Sequence, residues 1–281
     1  MGMIVMILII LLMIGLIYWT WFKNETVSKK GKINRTIVFV AIGGVVIGVF
    51  FPKTNDQAMV HETSSTQTIN EAESVEETTD TSAAMVDEMR LDVPLLNQMD
   101  EPRLYNGCEV TSLAMLLQYL DVEVSKNELA DKVAKVPFED DAGNHGDPHE
   151  GFVGDISGVN PGYSVYVEPM MELASQYVDA DRVIDLSGDF MNVLQSLSEK
   201  QPVWCITTVT FAATDDLETW QTVNGPIKIS WNVHSVLITG FDQEHIYLND
   251  PYGEKRVVDR DDFIASWEQM GSQAFTIKKT S

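Results

Sequence analysis

The chain has 281 residues and a formal net charge of -23, with 19 Lys and Arg against 42 Asp and Glu. So acidic a chain lacks the clustered cations of a nucleic-acid surface. Two cysteines exclude a disulfide scaffold and a Cys-rich zinc protein. A hydrophobic content of 44% excludes wholesale disorder.

The charge is unevenly spread. Residues 1–52 hold five Lys and Arg and one acid, while residues 53–281 hold 14 Lys and Arg and 41 acids. Met3 to Phe22 carries no charge and is mostly Ile, Leu and Met. At 1.5 Å per residue, about 20 apolar residues match a hydrocarbon core of about 30 Å. Tyr18, Trp19 and Trp21 close this run, as suits a membrane interface. A second, shorter apolar run covers about 36–51, and its Gly44 and Gly48 allow close approach of another helix. A cleaved signal peptide fits less well, because no Lys or Arg precedes the first run and no A-x-A-like site follows it. Lys23, Lys29, Lys30, Lys32 and Arg35 lie between the runs, so the positive-inside rule makes that loop cytoplasmic. The expectation is a hairpin of two transmembrane helices in the lipid bilayer of the cell membrane, with residues 53–281 extracellular. A single spanning helix, with the second run interfacial, is the alternative.

Residues 53–89 have nine acids, one Lys and no Phe, Trp or Tyr. Such a stretch buries too little apolar surface to offset chain entropy and reads as a disordered linker. Residues 90–281 are long enough for one packed domain.

In that domain, Asn106-Gly107 signals a turn, and Val110, Leu113, Ala114, Leu117 and Leu120 then fall at helical spacing. Cys108 therefore starts a helix with one buried face. Free amides and the helix dipole there favour a thiolate of depressed pKa, which marks Cys108 as a nucleophile. The competing reading is a small buried hydrophobe. Cys205 has that second character, since it lies in the apolar, β-branched strand pattern of Pro202 to Val209.

A thiolate needs a base, and the base needs an orienting partner. His61 falls in the linker. His234 opens the strand pattern 234–241, and a short turn leads to a second strand opened by His245 and ending at Asn249-Asp250. A hairpin brings the end of the second strand beside the start of the first, so Asp250 meets His234, while His245 lies at the far, turn end. The order Cys, His, Asp, with 126 residues from Cys108 to His234, is close to the papain-type spacing of roughly 130–150. Gln98, ten residues before Cys108, has an amide suited to an oxyanion hole, with the Cys108 backbone amide as second donor.

These residues, Gln98, Asn106 to Ser112, and His234 with Asn249-Asp250-Pro251-Tyr252, resemble the C39-like peptidases, a papain-like cysteine peptidase group. The resemblance spans about 90–281. It implies a papain-like α+β fold, with an N-terminal helix carrying the Cys and an antiparallel sheet carrying the His and Asp. It implies Cys108 as nucleophile, His234 as base, Asp250 as orienting residue and Gln98 as oxyanion donor, with no cofactor. Relatives fused to ABC transporters remove leader peptides, but this chain has no P-loop.

The polar segment 137–163 holds His145, Asp147, His149 and Glu150, but Gly146 and Pro148 oppose the helix that a zinc-binding H-x-x-x-H prefers, so it reads as a cleft rim. Helices are expected over 187–200 and 260–270, and a last strand over 273–279. The expected function is hydrolysis of peptide or protein substrates. Amidase or acyltransferase chemistry on cell-wall peptides, or a non-catalytic surface-binding module, are the alternatives.

Overall fold

The computed structural model describes residues 86–279. Both expected membrane runs and nearly all of the expected linker lie outside the described residues. Among the described residues no helix is long and apolar enough to cross a membrane.

The centre is an antiparallel seven-stranded sheet. It contains β1 (Met89–Arg90), β4 (Val183–Asp185), β5 (Val203–Thr208), β8 (Val233–Phe241), β9 (His245–Asp250), β10 (Glu254–Asp259) and β11 (Ala274–Ile277), in the order β10-β9-β8-β5-β11-β4. β1 pairs with the far end of β8, so Met89 belongs to the fold rather than to the linker. Two small sheets flank it, β2 (Lys135–Val136) with β3 (Phe152–Val153), and β6 (Glu218–Thr222) with β7 (Gly225–Ile229).

Both faces of the sheet are covered, which is why β5 is apolar without alternation. On one face, Trp204, Ile206 and Leu237 pack with α1 (Cys108–Tyr119), α2 (Lys126–Lys132) and α3 (Val167–Ala174). On the other, Val203, Cys205, Val236 and Ile238 pack with α4 (Phe190–Ser198) and α5 (Arg260–Gln269). Cys205 is a fully buried core residue.

The expected helices and last strand are present within a few residues of their expected limits. One expectation is corrected. α1 does not bury a single face, since every residue from Cys108 to Leu117 is buried. The helix is enclosed by β5 and β8, by α2 and by α3. Its polar residues therefore need internal partners, and the Thr111 hydroxyl donates to the Gly107 carbonyl at 2.7 Å while the Ser112 hydroxyl donates to the Ser235 carbonyl at 3.2 Å.

Candidate active site

Gly107 ends the turn that sets Cys108 at the first position of α1. A Cβ on Gly107 would lie 2.4 Å from Leu104 Cβ, so only glycine fits this approach. The turn is also held from outside. Asn106 donates its side-chain amide to the Asp155 carbonyl at 2.8 Å, and its backbone N–H to the Ile156 carbonyl at 3.1 Å. The polar segment after α2 thus buttresses the chain leading into Cys108. No side chain caps α1 at Gly107, which leaves first-turn N–H groups directed at the site.

His234 and Asp250 meet as the sequence implies. His234 Nε2 lies 3.0 Å from Asp250 Oδ1, and both side chains are 3% exposed. Asp250 Oδ1 also accepts the Tyr252 N–H at 3.0 Å, and Oδ2 accepts Arg256 Nε at 2.9 Å. Burial alone would raise the Asp250 pKa. The His234 hydrogen bond and charge, the Tyr252 amide and Arg256 outweigh it and hold the carboxyl below its ordinary value. With Nε2 given to Asp250, the imidazole keeps Nδ1 for chemistry.

Cys108 lies against the start of β8. The Ser112 hydroxyl, one turn further along α1, donates to the carbonyl of Ser235, one residue beyond His234, at 3.2 Å. The Tyr252 ring stacks on the His234 imidazole with centroids 5.5 Å apart. Thiol and imidazole share no hydrogen bond in this arrangement.

The expected depressed thiol pKa is not found. Burial raises the Cys108 thiol well above its ordinary value, and the neighbouring Glu109 carboxyl adds to the rise. The Ser235 backbone opposes it only in part. The helix start supplies donors, but Cys108 is only 9% exposed, and desolvation outweighs them.

Gln98 is buried, and its amide nitrogen donates to the Leu104 and Tyr105 carbonyls at 3.2 and 3.1 Å. Both amide hydrogens are thus spent on the turn that carries Cys108. Oε1 is buried without a partner. An oxyanion role requires release of one of those two bonds.

The His145–Glu150 residues have separate partners. His145 stacks on Trp220 with centroids 4.1 Å apart, His149 Nδ1 lies 2.9 Å from Glu168 Oε2, and Asp147 and Glu150 both accept from Asn224 Nδ2. Among the described residues no group of His, Cys, Asp or Glu is placed to hold a metal ion.

Sequence reasoning passed over Glu109, Tyr252 and Arg256 as site residues. The sequence signal for Glu109 was a charged residue beside Cys108 at the start of an otherwise apolar helix.

A helix opening on a cysteine, against an antiparallel sheet with a buried His–Asp pair, defines an α+β fold of the cysteine-peptidase type. The Peptidase_C39 like family matches residues 90–275, and the chain belongs to that family. The chain is 52% identical over 191 residues to an uncharacterized protein, YvpB, of Bacillus subtilis (strain 168), covering 67% of this chain and 76% of that protein. A crystal structure from Bacillus anthracis, by assignment a C39-like peptidase, superposes with a TM-score of 0.65 at 42% identity, covering 70% of this chain and all of the other.

Proposed function

We propose that the chain is a cysteine peptidase using Cys108, His234 and Asp250. The observation that carries this reading is the buried 3.0 Å His234–Asp250 pair, set at the start of the strand to which the helix opened by Cys108 is hydrogen-bonded through Ser112. In the proposed reaction His234 Nδ1 takes the thiol proton and the sulfur attacks the scissile carbonyl carbon. The Cys108 N–H, joined by Gln98 once its amide is released, stabilises the oxyanion. The imidazolium then protonates the leaving amine, and water hydrolyses the thioester. Catalytic hydrogen bonds commonly tighten only with substrate bound, which accommodates the separated thiol and imidazole.

The apolar runs at 3–22 and 36–51 support a membrane anchor, and the five cations between them support an extracellular catalytic domain. Protease shaving of intact cells should then release the domain.

The test is cleavage of a peptide library by the full-length chain. Turnover should vanish in Cys108→Ala and persist in Cys205→Ala, whose core truncation costs on the order of 1 kcal/mol. Turnover by Cys108→Ala would refute the reading, and acyl transfer without hydrolysis would move it to a transferase.

A further inference from the structure

Trp231 stands in the short turn between β7 and β8, three residues before His234. Long-range hydrogen bonds hold that turn. The Tyr163 hydroxyl donates to the Ser230 carbonyl at 3.2 Å, the Val209 N–H donates to the Asn232 carbonyl at 2.9 Å, and the Asn232 side-chain amide donates to the Thr214 hydroxyl at 3.1 Å. The indole is held as well. The Tyr163 and Trp220 rings meet it steeply, with centroids 5.6 and 5.5 Å away, and its N–H donates to Glu218 Oε1 at 3.0 Å. Yet Trp231 is 50% exposed, whereas Tyr163 and Trp220 of the same cluster are buried. A large ring ordered in advance and left to solvent has little freedom to lose when a partner arrives, which suits an anchor of a binding surface.

Glu218 gives this surface its charge. Its Oε1 accepts the Trp220 and Trp231 indole N–H groups, which are neutral donors. None of the ion pairs among the described residues includes Glu218. Lys228 of the same hairpin pairs in register with Thr219, so it projects from the opposite face of the two strands. Residues 209–218 add Asp215 and Asp216 and hold no Lys or Arg. That segment reaches the candidate active site, because the Phe211 ring lies 6.2 Å from the His234 ring.

We propose that Trp231 and Glu218 form a specificity subsite for a cationic side chain, Lys or Arg, of the peptide substrate. The alkyl stem of that side chain lies on the exposed indole face, and its charged head sits beside the Glu218 carboxylate. Charge complementarity selects this occupant. A carboxylate without a cation, set beside an aromatic face, attracts positive charge, and the polar segment 137–163 that leads into Tyr163 holds six acids and no Lys or Arg. An acidic side chain would meet only like charge.

The subsite rests on the peptidase reading, but its first test reads binding and not turnover. Full-length Cys108→Ala is titrated by calorimetry with two probes, a hexapeptide alternating Gly and Lys and the same peptide with each Lys acetylated. The Lys probe should bind about tenfold tighter or more at low salt, and the difference should shrink as salt is added. Glu218→Gln keeps an acceptor oxygen for both indoles and removes only the charge, so it should cancel most of that difference. Trp231→Ala should weaken the Lys probe several-fold, and Trp231→Phe should weaken it less. Asp131→Asn, at an exposed acid of α2, should change nothing. In the wild-type chain, cleaved library peptides should carry Lys or Arg at one fixed position from the cut, and Glu218→Gln should relax that position. No preference for the Lys probe, or a preference that Glu218→Gln leaves in place, overturns the subsite. An equal loss in Asp131→Asn overturns it too, since it would show general charge attraction, as would a cleavage profile without a fixed cationic position. Binding of N-acetylglucosamine oligomers through Trp231, with no preference for the Lys probe, would replace it with a glycan platform. Failure of the wild-type chain to cleave any peptide would instead overturn the peptidase reading, whatever the two probes show.

Discussion

His234 and Asp250 bond at 3.0 Å because the ladder between their strands slips by one residue. Near the turn, Phe241 faces Ile246 and Gly240 faces Tyr247, but beyond the bulge Ile238 faces Leu248 and Leu237 faces Asn249. Continuing that register sets Asp250 opposite Val236, on the face of the sheet that carries His234. An unbulged hairpin would set it opposite Leu237, on the face of Ser235, because side chains alternate along a strand. The bulge thus assembles the pair.

Asp250 should be the most sensitive partner after the nucleophile. Asp250→Ala removes the acceptor for the imidazole and leaves Arg256 unpaired there, so kcat should fall by about 10²-fold or more. Asp250→Asn retains an acceptor oxygen and should lose less. The folded pKa of Asp250 lies below its ordinary value, so its stabilisation is present above the unfolded carboxyl pKa of about 4 and is lost as pH falls through the folded value. Acid titration should therefore destabilise wild type more than Asp250→Asn below about pH 4. Identical acid limbs in the two melting curves would contradict that assignment.

Gln98 should show itself first in stability. Its truncation to Ala removes the side-chain donor of the Tyr105 carbonyl and leaves the Leu104 carbonyl only the Gly107 N–H, at about 1–3 kcal/mol for a buried group. Urea unfolding of Gln98→Ala should lose about 2 kcal/mol. If stability is unchanged while kcat drops, the amide serves the oxyanion alone and not the turn.

Gly240 should tolerate no side chain. A Cβ there would lie 2.1 Å from the Met89 carbonyl oxygen, where β1 pairs with β8. Gly240→Ala should expel β1 from the sheet and cost about 2 kcal/mol or more, with amide exchange rising at Leu91, whose N–H donates to the Thr239 carbonyl at 2.7 Å. An unshifted denaturation midpoint would exclude this account.

The chain determined by itself whatever depends on neighbours in sequence. Asn106-Gly107 before an apolar helical period placed Cys108 at a helix start, and two strand-patterned runs with a short turn between them brought Asp250 toward His234. Charge and apolar length set the expectation for residues 1–52 in the same way. The tertiary structure decided what depends on distant groups. Whether α1 had one buried face or none was settled by α2, α3 and the sheet closing around it. The thiol pKa followed that enclosure, because desolvation by remote residues outweighs local helix-start donors. The face on which Asp250 stands was settled by a single extra residue in β8, and β1 packs against the same stretch at Gly240. Local pattern records the period of an element, while burial, face and partner are fixed by segments far along the chain.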